Sequence, residues 1–287
     1  MRTFLECVSC FINQAIRAFR ANNVDEERIE GWIPEILRIL ERVDFRKTPM
    51  ENASLIYGVI KELLGVQDVY AEVKRMHNEI FLDNYQRFKK IVEESDDRLR
   101  TAMELSCSAN IIDLGSRDVS IEGVFEEVVS RIDSSFYVDH YKSFRNDLSR
   151  AETLVFFLDN AGEAVLDMLL VETISKEFPR ISKIWVVAKA EPFINDITVD
   201  EALDLGFERI PDVEVLGVYP DPFKDPNYRS KELVDLLLKA DVVIAKGQAN
   251  FEALEFPGVY HLFYVKCSPI LRCVNAPIGS PVLFKRA

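Results

Sequence analysis

The sequence predicts an α/β protein in which a helical N-terminal part precedes a mostly parallel sheet. Over residues 1–108, apolar residues recur at helical spacing and glycine is scarce. From about residue 150 onward, short apolar runs rich in β-branched and aromatic residues alternate with helical segments. This alternation is typical of parallel strands covered by helices on both faces. We therefore predict a helical region over residues 1–108 and a Rossmann-like, three-layer α/β/α domain over residues 109–287.

The N-terminal part contains several predicted helices. The opening one places Cys7 and Ala18 on the same face. Another has a defined start, because the Thr48 hydroxyl can cap the Glu51 N–H and Pro49 occupies the first helical position. Further helices are predicted near Asp25–Val43, Val69–Glu94 and Asp96–Cys107.

Five apolar runs in the C-terminal part are predicted strands, and Pro281–Lys285 is a candidate for a last one. These runs are Thr153–Leu158, Ile184–Ala188, Val213–Val218, Val242–Ala245 and Tyr260–Val265. The predicted helices between them are Glu163–Glu177, Val199–Leu205 and Lys231–Lys239.

Composition and charge exclude several classes of protein. The chain has 287 residues, 48% of them hydrophobic, which is enough for a folded core. A formal charge of −13 without a long basic run argues against nucleic-acid or anionic-membrane partners. With no apolar stretch of about 18 residues and no signal-peptide pattern, we expect a cytoplasmic protein. The oligomeric state is left open. The five cysteines are an odd number and do not predict structural disulfides: Cys7, Cys10, Cys107, Cys267 and Cys273.

Polar residues follow four of the predicted strands, where ligands of an open parallel sheet bind. Asp159, Asn160 and Asp196 offer hard oxygen ligands of the kind that Mg²⁺ or Mn²⁺ prefers. Lys246 supplies a compact positive charge for a phosphate at the start of a helix, and Gly247 allows the backbone to approach closely. A metal and a lysine at one sheet edge are the smallest set of groups that phosphoryl hydrolysis needs.

The same residues have a plainer interpretation, and several familiar motifs are absent. Asp159-Asn160-Ala161-Gly162 also fits an ordinary turn in which Asn160 caps the following helix. The sequence has no dinucleotide-binding glycine fingerprint, no Walker A motif, no zinc-protease motif and no nucleophile elbow. Ala161 stands where a haloacid-dehalogenase-type enzyme has its second aspartate.

Two motifs together resemble a known family. Asp159-Asn160-Ala161-Gly162-Glu163 and Lys246-Gly247-Gln248-Ala249-Asn250-Phe251-Glu252 look like those of the damage-control phosphatases, once catalogued as domain of unknown function 89. The likeness is to their stand-alone prokaryotic and archaeal branch. It covers essentially the whole chain and includes Cys7-x-x-Cys10, Asn110-Ile111-Ile112-Asp113 and Lys266-Cys267.

The resemblance implies a metal-dependent phosphatase with an α/β/α core that acts on damaged or side-product metabolites, including sugar phosphates. The implied metal ligands are Asp159, Asn160 and Asp196, for Mn²⁺, Mg²⁺, Co²⁺ or Ni²⁺. Lys246 would contact the phosphate, with Gly247 beside it. The remaining residues implied to line the pocket are Asn110, Asp113 and Asn250.

Two mechanisms of phosphate hydrolysis are compatible with these residues. Asp159 or Asp196 would orient or deprotonate an attacking water while Lys246 stabilises charge on the phosphoryl group. Alternatively, Asp159 would itself attack and form an aspartyl phosphate.

Two other features have open interpretations. Cys7, Cys10 and Cys267 would form a secondary thiol site for a soft metal or redox chemistry, or are simply small buried apolar groups. The loop Tyr219–Arg229 is long and polar, and it fits either a lid or an ordinary surface loop.

Two alternative functions compete with the phosphatase. An S-adenosylmethionine- or nucleotide-using transferase would need a glycine-rich loop after the first strand, where only Gly162 is present. A non-catalytic metabolite- or metal-binding protein would be stabilised by ligand without forming product.

Overall fold

A seven-stranded sheet with helices on both faces forms the centre of the molecule. The computed structural model describes residues 1–109, 121–132, 135–219 and 231–287. The strands are β1 (Val138–Asp139), β2 (Thr153–Phe157), β3 (Lys183–Lys189), β4 (Val213–Val218), β5 (Val242–Lys246), β6 (Tyr260–Tyr264) and β7 (Pro281–Lys285). Their order is β1-β7-β6-β5-β2-β3-β4. Strands β2 to β6 are mutually parallel and β7 is antiparallel to β6, which confirms the predicted mostly parallel α/β/α fold.

The described residues also form thirteen α-helices. Their bounds are α1 (Leu5–Ala21), α2 (Glu26–Leu40), α3 (Pro49–Leu64), α4 (Ala71–Asp83), α5 (Tyr85–Glu94), α6 (Arg98–Ala109), α7 (Ile121–Val129), α8 (Tyr141–Leu148), α9 (Glu163–Glu177), α10 (Val199–Leu205), α11 (Lys231–Lys239), α12 (Gly247–Ala253) and α13 (Ser268–Val274). The predicted start of α3 is confirmed, since Thr48 Oγ1 accepts from Glu51 N at 3.2 Å and Thr48 N donates to Glu51 Oε2 at 2.8 Å.

The helical segment predicted near Val69–Glu94 is divided into two helices at Asn84. The side chain of Asn84 explains the break, because it bonds to groups on both sides of it. Asn84 Nδ2 donates to the Ile80 carbonyl at 3.1 Å, and Asn84 Oδ1 accepts from Arg87 Nη1 at 3.0 Å. Asparagine that bonds locally in this way competes with the regular helical ladder.

The two faces of the sheet bury separate apolar clusters. Leu154 and Phe156 of β2 pack in one cluster with residues of α6 and α9, and Val155 packs in the other with residues of α1 to α3. The alternation follows from the period of two along a strand. Each cluster combines residues from both sides of residue 108, so the helical region shares its cores with the sheet and the domain boundary stays a prediction. Among the described residues, no helix combines the length and apolar character needed to cross a bilayer.

Candidate functional site

The ends of β2 and β3 bring two acidic residues together. After β2 the chain runs through Asp159 and Asn160, and the segment after β3 folds back on it. Asn160 and Asp196 form an isolated antiparallel bridge, and Ile197 N donates to the Asp159 carbonyl at 2.9 Å. The structure therefore brings the three predicted metal ligands to one edge of the sheet, as the carboxyl-end rule for parallel strands predicts.

Both carboxylates are buried, and burial disfavours their ionised forms. Asp159 is 5% exposed and Asp196 is 4% exposed. Burial raises the pKa of Asp159 well above its ordinary value, and repulsion from Asp196 and Glu163 raises it further. Burial also raises the pKa of Asp196, and the ammonium of Lys189, 3.3 Å from Asp196 Oδ2, opposes that rise. A cation bound beside these acids would stabilise their ionised forms.

The Asn160 amide points its nitrogen toward the neighbouring carboxylates. Nδ2 donates to Asp159 Oδ2 at 2.8 Å and lies 3.3 Å from Glu163 Oε2. A ligand role requires the amide to turn so that its oxygen faces the acid pair, because only the oxygen has lone pairs for a cation. The alternative in which the Asn160 side chain caps α9 does not hold, since Gly162 is the N-cap residue.

Lys246 ends β5 in a fully buried ion cluster. Its ammonium lies 2.5 Å from Glu163 Oε1, 2.5 Å from Asp167 Oδ1 and 3.1 Å from the Ser106 carbonyl. Ser106 Oγ also donates to Asp167 Oδ1 at 2.6 Å. An ammonium has three N–H donors, so these acceptors occupy all of them. Contact between Lys246 and a phosphate therefore requires the exchange of one acceptor.

Sequence reasoning did not assign Glu163, Asp167 or Lys189 to the site. Two signals could have found them. Asp167 follows Glu163 by four residues, which places both carboxylates on one face of α9. Lys189 ends β3 as Lys246 ends β5, and both side chains are buried.

The segment after β5 approaches the acid pair closely. Gly247 has a φ of +75°, and a Cβ at this position would lie 1.8 Å from Asp159 Oδ2, so only glycine fits. Asn250 is buried, and its Nδ2 donates to the carbonyls of Leu158 and Lys246 at 2.9 and 2.7 Å. Asn250 thus ties the end of β2 to the start of α12, and its contact with substrate stays a prediction.

Two predicted pocket residues and one loop fall outside the described residues. Asn110 and Asp113 belong to this group, as does the loop Tyr219–Arg229 beyond its first residue. Their predicted roles stay predictions.

The thiols of Cys7, Cys10 and Cys267 lie near enough to influence one another electrostatically. Burial raises the pKa of Cys7 to about 11, and Cys267 Sγ accepts from Gln248 Nε2 at 3.4 Å. Across the described ranges, no three His, Cys, Asp or Glu side chains are grouped so as to hold a metal ion. The secondary thiol site stays a prediction, without a closed metal cage among these residues.

Comparisons with known proteins show similarity along the whole chain. A family model described as the damage-control phosphatase ARMT1-like domain matches residues 3–282. A damage-control phosphatase of Archaeoglobus fulgidus is 29% identical over 96% of this chain and 96% of its own. Another, of Pyrococcus horikoshii, is 28% identical over 99% of this chain and 98% of its own. The crystal structure of a DUF89 family protein from Pyrococcus horikoshii covers 100% of both chains with a TM-score of 0.85 at 27% identity.

Proposed function

The chain belongs to the damage-control phosphatase ARMT1-like family, and from this premise we propose that it is a divalent-metal-dependent phosphatase. Its substrates would be small phosphorylated metabolites, with damaged or side-product sugar phosphates among them. The reaction adds water to a phosphomonoester and releases an alcohol and inorganic phosphate. The names of the Archaeoglobus and Pyrococcus relatives support a phosphatase that acts on damaged metabolites.

The observation that carries this proposal is the buried acid pair. Asp159 and Asp196 come from adjacent strand ends, and burial raises the pKa of each. Two carboxylates and one amide oxygen are hard donors that fit Mg²⁺, Mn²⁺, Co²⁺ or Ni²⁺. Magnesium in particular is usually held by one or two carboxylates, with waters and substrate phosphate completing its shell. Such a site agrees with the lack of a three-residue metal cage among the described residues.

The residues of the chain have distinct roles in the proposed reaction. Asp159 and Asp196, with Asn160 after rotation of its amide, would hold the metal. When bound, the metal supplies a Lewis acid that polarises a phosphoryl oxygen and lowers the pKa of a water. Asp159 or Asp196 orients or deprotonates the attacking water. Lys246, once a phosphate oxygen replaces one of its acceptors, stabilises the charge on the phosphoryl group.

The alternative route through an aspartyl phosphate is distinguishable. If Asp159 attacks, the phosphoryl group is carried on the protein before water releases it. Rapid acid quenching during turnover would then trap phosphate on the wild-type chain. No trapped phosphate is expected if water attacks directly.

Phosphate release from chelator-stripped protein tests the proposal. Mg²⁺, Mn²⁺, Co²⁺ and Ni²⁺ are resupplied one at a time, with a generic phosphoester and a panel of sugar phosphates as substrates. We expect turnover only with metal, its loss in Asp159→Ala and its retention in Asp147→Ala. Asp147 is a suitable control because it pairs with Lys285 outside the site. No turnover with any metal would contradict the proposal, and stabilisation by ligand without product would favour a binding protein.

A further inference from the structure

Helix α4 of the N-terminal part contacts both segments that carry the proposed metal ligands. Asn78 Oδ1 accepts from Gly162 N at 2.6 Å, two residues after Asn160. Lys74 Nζ lies 2.8 Å from Glu201 Oε1 in the first turn of α10, shortly after Asp196. Lys74 and Asn78 are four residues apart, so they lie on the same face of α4.

The contact at Asn78 fixes the turn between β2 and α9. Gly162 has a φ of +79°, and a Cβ there would lie 2.9 Å from His77 Cβ and 3.2 Å from Phe81 Cδ2. The turn is therefore packed directly against α4. The Gly162 N–H at the start of α9 has no acceptor within its own helix, and the Asn78 side chain supplies one.

The contact at Lys74 fixes the segment that carries Asp196. Lys74 is fully buried, and Asp68 Oδ2, at 2.7 Å, balances its charge together with Glu201. Glu201 Oε2 also accepts from Thr198 N at 2.8 Å, which caps the start of α10 two residues after Asp196. Loss of Lys74 would leave these two partly buried carboxylates without their cation.

We propose that Asn78 and Lys74 are positioning residues that set the separation and orientation of the two halves of the metal site through α4. Asn78 holds the Asp159–Asn160 turn, and Lys74 holds the Asp196 segment by way of Glu201. Neither side chain is assigned as a metal ligand. This inference rests on the proposed function, because it concerns the metal proposed there. Groups that orient metal ligands typically contribute about 10- to 100-fold to metal affinity.

Calorimetric titration of Mn²⁺ into chelator-stripped protein tests the inference without measuring turnover. In Asn78→Ala we expect the dissociation constant for Mn²⁺ to rise about 10-fold or more, because the acceptor for Gly162 N is lost. In Asn78→Asp, which retains an acceptor oxygen, we expect binding at the wild-type level or tighter.

For Lys74→Met, a pure charge effect and a positioning role predict opposite changes in the affinity for Mn²⁺. Removal of a positive charge near Asp196 would by itself favour cation binding. If Lys74 positions the Asp196 segment, the variant binds Mn²⁺ about 10-fold more weakly in spite of that charge effect. Tighter binding would overturn the role of Lys74.

The same helix offers matched controls one residue further along. Arg75 and Glu79 are also four residues apart, but their side chains are 64% and 58% exposed and pair with each other at 2.7 Å. Arg75→Ala and Glu79→Ala should leave Mn²⁺ affinity unchanged. Thermal unfolding verifies that each variant is folded, and Asn78→Ser replaces Asn78→Ala if that variant does not fold.

The outcomes separate this inference from the proposed function. Wild-type affinity in folded Asn78→Ala and Lys74→Met, with Mn²⁺ binding in the parent protein, would overturn the inference and leave the proposed function standing. A parent protein that binds none of the four divalent metals would overturn the metal site and the inference with it.

Discussion

The two strands that flank β2 both end in a buried lysine, but the two lysines meet different surroundings. Lys246 at the end of β5 contacts Glu163, Asp167 and a backbone carbonyl. Lys189 at the end of β3 contacts the Asp196 carboxylate at 3.3 Å, next to the equally buried Asp159. Each lysine therefore stands beside two buried acids, but Lys246 contacts both of its acids at 2.5 Å, whereas Lys189 lies 3.3 Å from Asp196. We expect Lys246 to neutralise its acids more completely, and the acid pair between β2 and β3 is where we propose the metal cation.

Replacing each lysine by methionine should give the largest difference between the two strand ends. Lys246→Met leaves Glu163 and Asp167 buried without their cation, and we expect the free energy of unfolding to fall by about 3–5 kcal/mol. Lys189→Met should cost less, because Lys189 lies 3.3 Å from Asp196, a longer contact than the 2.5 Å between Lys246 and each of its two carboxylates. Urea unfolding at neutral pH without metal measures both. Equal losses of unfolding free energy in the two variants would contradict this difference between the two lysines.

Two glycine substitutions test whether the close approach of the backbone to Asp159 matters for turnover. A methyl group at Gly247 would displace the Asp159 carboxylate, so we expect Gly247→Ala to reduce turnover about 100-fold. Gly258 has a similar φ of +84° and nothing within 4 Å of the added Cβ. Gly258→Ala should therefore show only the backbone cost of about 1–2 kcal/mol, with normal turnover. Equal turnover in the two variants would show that the Asp159 position does not matter for the reaction.

The Lys246 cluster also predicts a smaller, pH-dependent effect. Burial raises the pKa of Asp167 to about 7 in spite of Lys246, so the folded chain holds a proton that the unfolded chain releases above about pH 4. This group therefore lowers the free energy of unfolding as pH rises from about 4 to about 7. Asp167→Asn should become progressively more stable relative to the parent over that range. A stability difference independent of pH would contradict this pKa.

Local patterns predicted the sheet well and the charge cluster poorly. The bounds of β4 and α11 were predicted to the residue because apolar periodicity and flanking polar residues define both elements. The carboxyl-end rule predicted that Asp159 and Asp196 would meet. Asp167 was missed although its spacing of four residues from Glu163 places both carboxylates on one face of α9, because α9 is buried along most of its length and has no amphipathic face to show which side points inward. Its partners, Ser106 and Lys246, are distant in sequence and meet only through tertiary packing.

Titration of Mn²⁺ into chelator-stripped wild-type and Asp196→Ala protein, monitored by electron paramagnetic resonance, tests most directly whether Asp159 and Asp196 hold the metal. The acid pair predicts about one bound Mn²⁺ per wild-type chain. In Asp196→Ala we expect the affinity for Mn²⁺ to be more than about 100-fold weaker. A group that only orients a metal ligand contributes up to about 100-fold, and this variant loses a ligand itself. Full Mn²⁺ binding together with full phosphatase turnover in Asp196→Ala would contradict the assignment of Asp159 and Asp196 as the metal site.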